Sequence, residues 1–341
     1  MNLSTRDIDI LNLLISEYIS SAAPVGSSAI AKCSNLGLSS ATIRNVLGRL
    51  EDMGLLTHPH TSAGRVPTPV GLRFYVNTIL NSHKLSDQEK NAIEKQFEIT
   101  PSNLEDVLKR AGKIISLISN YTSLVVMPKK AGLTFKQIEF VPISSTKILG
   151  IFVSREGVVH NHVIDVGSEF SYPDLEKISN YCNRSYYGCT MEEAATKAAM
   201  EYEDERIRHD RLISRAILWS RGLFEDAAQN DLFIEGEANL LQAPEFADVE
   251  KLRGIMEALE EKKGIVHLLN RAAESDEVCV FIGAESNFEP VSSCSIVTTP
   301  YKKGKNIVGT IGVIGPTRMD YNKVIPTVDW TARFVSSMLG G

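Results

Sequence analysis

Residues 40–53 bring together side chains suited to reading a nucleic acid. On a helical projection Ile43, Val46, Leu47, Leu50 and Met53 share one face. Ala41, Arg44, Asn45 and Gly48 share the opposite face, with Arg49 on one flank. An arginine bonds guanine through two parallel contacts, and an asparagine does the same to adenine. Ala41 suits a thymine methyl, and Gly48 leaves the helix bare for close approach to a duplex. This is the chemistry of a recognition helix in the major groove. Taken alone, an amphipathic helix with a solvated polar face carries the same pattern.

The segment His58-Pro59-His60-Thr61-Ser62-Ala63-Gly64-Arg65 follows. Its polar groups and Arg65 suit phosphate or minor-groove contact. His58 and His60 are also metal-ligand types, but no third ligand stands near them, and His160 and His162 read as surface or packed histidines. Cys33, Cys182, Cys189, Cys279 and Cys294 are scattered with no C-x-x-C, which predicts reduced thiols and neither a disulfide framework nor a zinc site. Gly309 to Pro316 is glycine-rich, but its spacing fits no phosphate-binding loop and reads as strand glycines plus a turn before Pro316. No G-x-S-x-G, H-E-x-x-H or nucleophile–base pairing occurs. The acidic run Glu201–Glu205 reads as a solvated helical face. No catalytic residue, cofactor or metal is expected, and the chain is not expected to be an enzyme.

The elements that must position these residues follow from periodicity and punctuation. Residues 4–20 repeat apolar positions at helical spacing with Ser4 as cap; Pro24 and Gly26 end the helix. A short helix over Ser28–Lys32 leads through a tight turn, Asn35-Leu36-Gly37-Leu38, to a third helix capped by Ser39 and stopped by Gly54. Leu55–His58 and Arg65–Pro67 read as two short strands, and Thr68-Pro69 opens a fourth helix. Helix, short helix, turn, helix, hairpin, helix is the order of a winged helix-turn-helix. Ser86-Asp87-Gln88-Glu89 is a capping box, and Thr100-Pro101 opens a helix with a stripe from Leu104 to Ile118. Strands are predicted at Ser123–Met127, Phe135–Ile143, Ile148–Val153 and Val158–Asp165. Residues 172–272 read as mostly helical: Tyr172–Arg184, Met191–Asp210, Leu212–Ala228 and Val249–Ala273. Strands return at Val278–Ile282, Ser295–Thr299 and Ile307–Ile314, and a last helix runs from Lys323 to Met338. Strands, a helical block, then strands again predict one α+β domain with a helical insertion.

With 341 residues, two or three domains are expected. The 36 basic and 42 acidic residues leave a net charge of −6, which argues against a chain coated in nucleic acid but not against a local reading surface. Residues 1–83 sum to +1 and the remainder to −7, so the N-terminal part is where such a surface belongs. No apolar run is long enough to span a membrane. The opening residues lack the basic and apolar regions of a secretory signal, and a cytoplasmic location is expected.

Several strings resemble the heat-inducible transcription repressor HrcA family. They are Pro24-Val25-Gly26-Ser27, Ser40-Ala41-Thr42-Ile43-Arg44-Asn45, Pro59 through Thr68, Gly71-Leu72-Arg73-Phe74-Tyr75-Val76, and Gly312 through Tyr321. The resemblance implies an α+β multidomain chain: an N-terminal winged helix-turn-helix, then a GAF-like α+β domain with an inserted helical dimerisation domain. The corresponding limits are 1–83 for the DNA-binding domain, 84–120 for a helical linker, 121–174 and 251–341 for the GAF-like domain, and 175–250 for the insertion. It further implies a negative regulator of chaperone operons. Such a protein binds an inverted-repeat CIRCE operator in double-stranded DNA as a homodimer, and the chaperonin GroEL keeps it active. Arg44 and Asn45 would read bases with Ala41, Gly48 and Arg49 beside them, while Ser40, Thr42, His60, Thr61 and Arg65 would position the backbone. The chain departs from the family where Val46 and Arg49 replace acidic residues and Leu47-Gly48 replaces a Met–Ala pair. A second reading makes the GAF-like domain a small-molecule sensor of a winged-helix regulator.

Overall fold

The computed structural model describes residues 3–33, 37–60, 63–80, 85–97, 104–127, 133–155, 159–167, 170–203, 211–228, 232–304 and 306–340. It is a mixed α and β chain that divides into two compact units, one formed by Met1–Met127 with Leu232–Gly341 and the other by Pro128–Asp231.

The first unit begins with a helical head. Ser4 caps α1 (Thr5–Ser21) in a reciprocal box with Asp7, and Ala22 ends it in the left-handed region. After α2 (Ser27–Cys33), Ser39 caps α3 (Ser40–Asp52) by accepting from the Thr42 amide. Gly54 turns the chain at φ +74°. The expected strands shrink to a minimal ribbon, β1 (Leu56–Thr57) on β2 (Val66–Pro67), with Leu56 opposite Pro67 and Thr57 opposite Val66. Thr68 caps α4 (Pro69–Ile79) and also donates to the Gly54 carbonyl at 2.7 Å. Ile10, Leu11, Leu14 and Ile15 of α1, Ile30 of α2, Ile43, Val46, Leu47 and Leu50 of α3, and Leu72, Tyr75 and Val76 of α4 are all buried together. Each such aliphatic side chain contributes roughly 1.5–3 kcal/mol of burial, so this core fixes which face of each helix points out.

Helix α5 (Asp87–Lys95) has the expected capping box at Ser86 and Glu89. Thr100-Pro101 lies outside the described residues. Helix α6 (Leu104–Ser119) is amphipathic and packs Val107, Leu108, Ala111, Ile114 and Ile115 into the core of the unit. It feeds β3 (Thr122–Val126), buried along its whole length.

The second unit follows. Strands β4 (Phe135–Pro142), β5 (Lys147–Ser154) and β6 (Val159–Asp165) form an antiparallel three-stranded sheet in chain order. Helices α7 (Tyr172–Tyr186), α8 (Met191–Glu203) and α9 (Arg211–Ala228) complete it. Phe135, Phe152, Tyr186 and Phe224 meet ring to ring, with Leu175, Ile178 and Trp219 in the same core. This compact unit spans Pro128–Asp231, whereas the sequence led to an expected insertion over 175–250. Phe135, Ile138, Phe140, Ile148 and Phe152 of these strands share one core with α7 and α9, and the first unit resumes at Leu232.

The return is β7 (Leu232–Glu235), a strand inside a stretch expected to be helical. It pairs with β3, with Leu124 opposite Ile234 and Val125 opposite Phe233. After the single turn α10 (Ala238–Leu241), α11 (Val249–Glu261) and α12 (Lys263–Ala272) replace one expected helix. Lys262 separates them with φ +58°. Strands β8 (Cys279–Ile282), β9 (Cys294–Lys303) and β10 (Asn306–Pro316) complete an antiparallel sheet of order β7-β3-β10-β9-β8. One face carries Val125, Val297, Ile311 and Val313 with α6 and α13 (Tyr321–Gly340). The other carries Leu124, Val126, Ile296 and Ile314 with α11 and α12. A sheet covered on both faces buries every position, and β3 and the middle of β9 and β10 are buried throughout, with mostly apolar residues and a few small hydroxyl residues such as Ser123 and Thr298.

The head contains one backbone approach that leaves no room for a side chain. A Cβ at Gly71, in the first turn of α4, would lie 2.1 Å from the Leu55 carbonyl oxygen. Gly71→Ala is expected to destabilise the head by about 1–3 kcal/mol or more through forced displacement. Urea unfolding monitored by circular dichroism tests this, and an unchanged midpoint would contradict it.

Candidate nucleic-acid interface

Helix α3 is built so that its polar face must be presented outward. Its apolar stripe, Ile43, Val46, Leu47 and Leu50, is at most 1% exposed. That leaves Ser40, Ala41, Arg44 and Asn45 exposed on the other side, with Thr42 and Gly48 partly so. The Thr42 and Ser39 hydroxyls are 2.9 Å apart at the cap. Among the described residues, the side chains of Arg44 and Asn45 make no hydrogen bond or ion pair, so their donors and acceptor are available to a ligand. Gly48 sits mid-helix, where glycine costs about 1 kcal/mol relative to alanine. A Cβ there would meet nothing within 4 Å, so no internal packing demands the glycine. Close approach of something outside the chain would.

The flanking basic residues are placed differently. Arg49 is paired with Asp7 of α1. The same carboxylate accepts from the Ser4 hydroxyl at 2.8 Å. Burial pushes the Asp7 carboxyl up, but the bonds from Ser4 and Arg49 outweigh this and hold it below its usual value. Arg49 thus ties α3 to α1, and the charge that sequence sets beside the reading face is engaged. Arg65 is likewise committed: its Nε donates to Glu51 at 3.2 Å, and its backbone exchanges two 2.9 Å hydrogen bonds with Val25. A Cβ at Gly64 would lie 2.5 Å from the Val25 backbone, so glycine is required where the ribbon meets the turn after α1. His58 Nε2 lies 2.8 Å from the other Glu51 oxygen. Glu51, at the end of α3, therefore holds the base of the ribbon from both strands.

His60 is exposed near the tip of the ribbon. Thr61 lies outside the described residues. The structure brings Ser40, Ala41, Thr42, Arg44, Asn45 and Gly48 onto one surface, with Arg49 and Arg65 turned to internal acids. Asp7 and Glu51 were missed in sequence because nothing local pairs Asp7 with a residue 42 positions away. Glu51 precedes Arg65 by 14 positions across a turn, with no helical spacing to link them.

Elsewhere, the glycines of β10 are packing positions. A Cβ at Gly309 would lie 2.3 Å from the Val126 carbonyl, and one at Gly312 would lie 2.5 Å from that of Val297. The strand runs through Pro316, and the turn follows it. No group of three metal-ligand side chains occurs among the described residues. No helix among them is long and apolar enough to cross a membrane.

Residues 105–325 match the family described as HrcA protein C terminal domain. A relative from Geobacter sulfurreducens, named heat-inducible transcription repressor HrcA, is 41% identical over 341 residues, covering 100% of this chain and 99% of its own. One of the same name from Methylococcus capsulatus is 38% identical and covers 99% and 96%. A crystal structure of a hypothetical protein shares the fold, with a TM-score of 0.67 at 23% identity over 99% of both chains.

The Asp7 site gives a pH signature. Its carboxyl is depressed in the folded state, so the bonds to Ser4 and Arg49 contribute fully above the ordinary aspartate value of 3.8 and are lost as pH falls through the lower folded value. The stability advantage of wild type over Asp7→Asn should hold at neutral pH and shrink below about pH 4. Urea unfolding of both across that range measures it, and a constant difference would rule out the linkage.

Proposed function

The chain belongs to the heat-inducible transcription repressor HrcA family, and from that membership we propose that it represses by holding an inverted-repeat operator as a homodimer. It is a heat-inducible transcription repressor and not an enzyme. The observation that carries the DNA-reading part is the outward face of α3, where Arg44 and Asn45 are uncommitted and Gly48 has no internal reason.

In this reading residues 1–83 are a winged helix-turn-helix, with α3 in the major groove and the β1–β2 ribbon as the wing. Arg44 and Asn45 read bases, and Ala41 and Gly48 permit the approach. Ser40, Thr42, His60 and Thr61 contact the backbone, with Arg49 and Arg65 holding the frame. The five-stranded sheet with its covering helices is the GAF-like domain. The unit Pro128–Asp231 is the inserted dimerisation domain. An inverted repeat requires a protein two-fold, because each half-site needs its own α3. The three-stranded sheet favours that assignment. Its face away from α7 and α9 exposes Val159 and Val163 at 61% and 51%, beside the half-buried Leu149, Ile151 and Val153. The chaperonin GroEL, implied by the family resemblance, is the partner we propose keeps the repressor active, and the site of action is the cytoplasm.

Two measurements follow from this reading. Arg44→Ala should cost about 1–3 kcal/mol of discrimination at one base pair in a gel shift with and without chaperonin. A variant that treats operator and scrambled duplex as wild type does would remove Arg44 from base reading. Val163→Asp should convert a dimer to monomer in sedimentation velocity and weaken inverted-repeat binding in step. A variant that remains dimeric would place the two-fold elsewhere.

A further inference from the structure

Two of the strings singled out in the sequence have no place on the α3 surface. They are Gly71-Leu72-Arg73-Phe74-Tyr75-Val76 on α4 and Gly312 through Tyr321 at the end of β10. In the fold they meet at one junction between the head and the body of the first unit. Arg73 Nε donates to Glu285 Oε1 at 3.0 Å, a second guanidinium nitrogen reaches Glu285 Oε2, and the same group donates to the Val280 carbonyl at 2.5 Å. Glu285 is itself held by the Ile282 amide at 2.8 Å, so Arg73 grips a fixed point of the body.

Arg318 makes the matching contact from the body to the head. Its Nη1 donates to the carbonyl of Ile19 in the last turn of α1 at 3.1 Å, while its Nε pairs with Glu245. The last carbonyls of a helix lack internal partners and carry the negative end of its dipole. Helix α1 has no basic residue of its own in that turn. Arg318, 299 positions away in sequence, supplies it. Between the two clamps, Asn322 Nδ2 donates to the Tyr75 hydroxyl at 2.5 Å. Leu72, Tyr75, Val76 and Ile79 continue without a break into a core with Val280, Ile282, Tyr321 and Ile325.

We propose that Arg73 and Arg318 are positioning residues for operator recognition, bolting the DNA-reading head to the body so that the body sets where α3 points. The inference rests on the operator-binding reading above. Apolar contact alone is non-directional and tolerates rotation. A two-pronged arginine–carboxylate contact adds geometric specificity. Holding α4 and the end of α1 at separate points removes rotation about either helix. In a dimer joined through another part of the chain, the separation of the two α3 helices then becomes a fixed length. The operator is selected by its spacing as well as by its bases.

The test uses full-length protein and the duplex that wild type enriches from a library of random inverted repeats, remade with a series of spacer lengths, plus one isolated half-site. Fluorescence anisotropy reads affinity. Arg73→Gln combined with Arg318→Gln should bind the half-site within about twofold of wild type, bind the preferred full site at least about tenfold more weakly, and lose most of its spacer preference. Glu285→Gln, which leaves both arginines and most of the junction in place, should shift spacer preference in the same direction by less, and decides the matter if the double variant does not fold. Wild-type spacer preference in these variants overturns the inference and leaves the operator reading standing. Equal loss on half-site and full site also overturns it, since the arginines would then act on the head's own fold. A wild type that ignores every spacer overturns both.

Discussion

The burial of one stripe on α3 governs the rest of the molecule's reading surface. Ile43, Val46, Leu47 and Leu50 are withdrawn from water against α1 and α2, and a helix with one buried stripe has no choice about what its opposite face does. Ala41, Arg44 and Asn45 are outside because those four residues are inside. The ends of the helix are pinned by other means. Ser39 supplies the N-terminal cap, Arg49 reaches across to Asp7, and Glu51 holds His58 and Arg65. The stripe sets rotation about the helix axis, and the polar ties set what stands beside it.

The two units solve the problem of burial separately. In the first, a sheet covered on both faces leaves no polar side to its central strands, and the head's core runs into the core beneath α13. In the second, a sheet packs its helices on one face only and leaves valines exposed on the other. An unpartnered apolar sheet face is costly in a monomer and ordinary at an interface between copies. That asymmetry, and not the presence of helices, is what supports the proposed placement of a two-fold on this unit.

The legible parts of this structure were those with local causes. Helix α3, its Ser39 cap and the Ser86 and Thr68 caps follow from residues within four positions of one another, as does the division of α3 into a buried and an exposed face. What could not be read depends on partners far along the chain. Strand β7 has four residues and owes its existence to β3, more than a hundred positions earlier. That β4–β6 form a sheet of their own was not legible, because they look like any other half-buried strands and nothing in their composition says which sheet they join. Arg49 and Arg65 illustrate the same limit in the site. Their residue type promised charge for DNA, and only the fold shows each one bound to an acid. Lys262 itself is not a residue type that favours a positive φ, and Gly264 two positions on falls inside the first turn of α12, so the break between α11 and α12 was only weakly marked.

Charge then constrains how such a head can hold DNA. Residues 1–83 carry a net charge of +1, and three of their arginines, Arg49, Arg65 and Arg73, are neutralised internally. Nonspecific affinity scales with the number of phosphates neutralised, so a single head of this kind is a weak binder with a shallow salt dependence. In the proposed dimer, two heads on one frame escape that limit without further charge. Once one has docked, the second sees its half-site at a high effective concentration, provided the frame holds it at the right distance. The low charge of the head and the several side-chain contacts that join it to the body are therefore complementary in that proposal. A head with little charge of its own depends on accurate placement of its twin, and anything that loosens the frame removes the advantage of pairing before it disturbs α3.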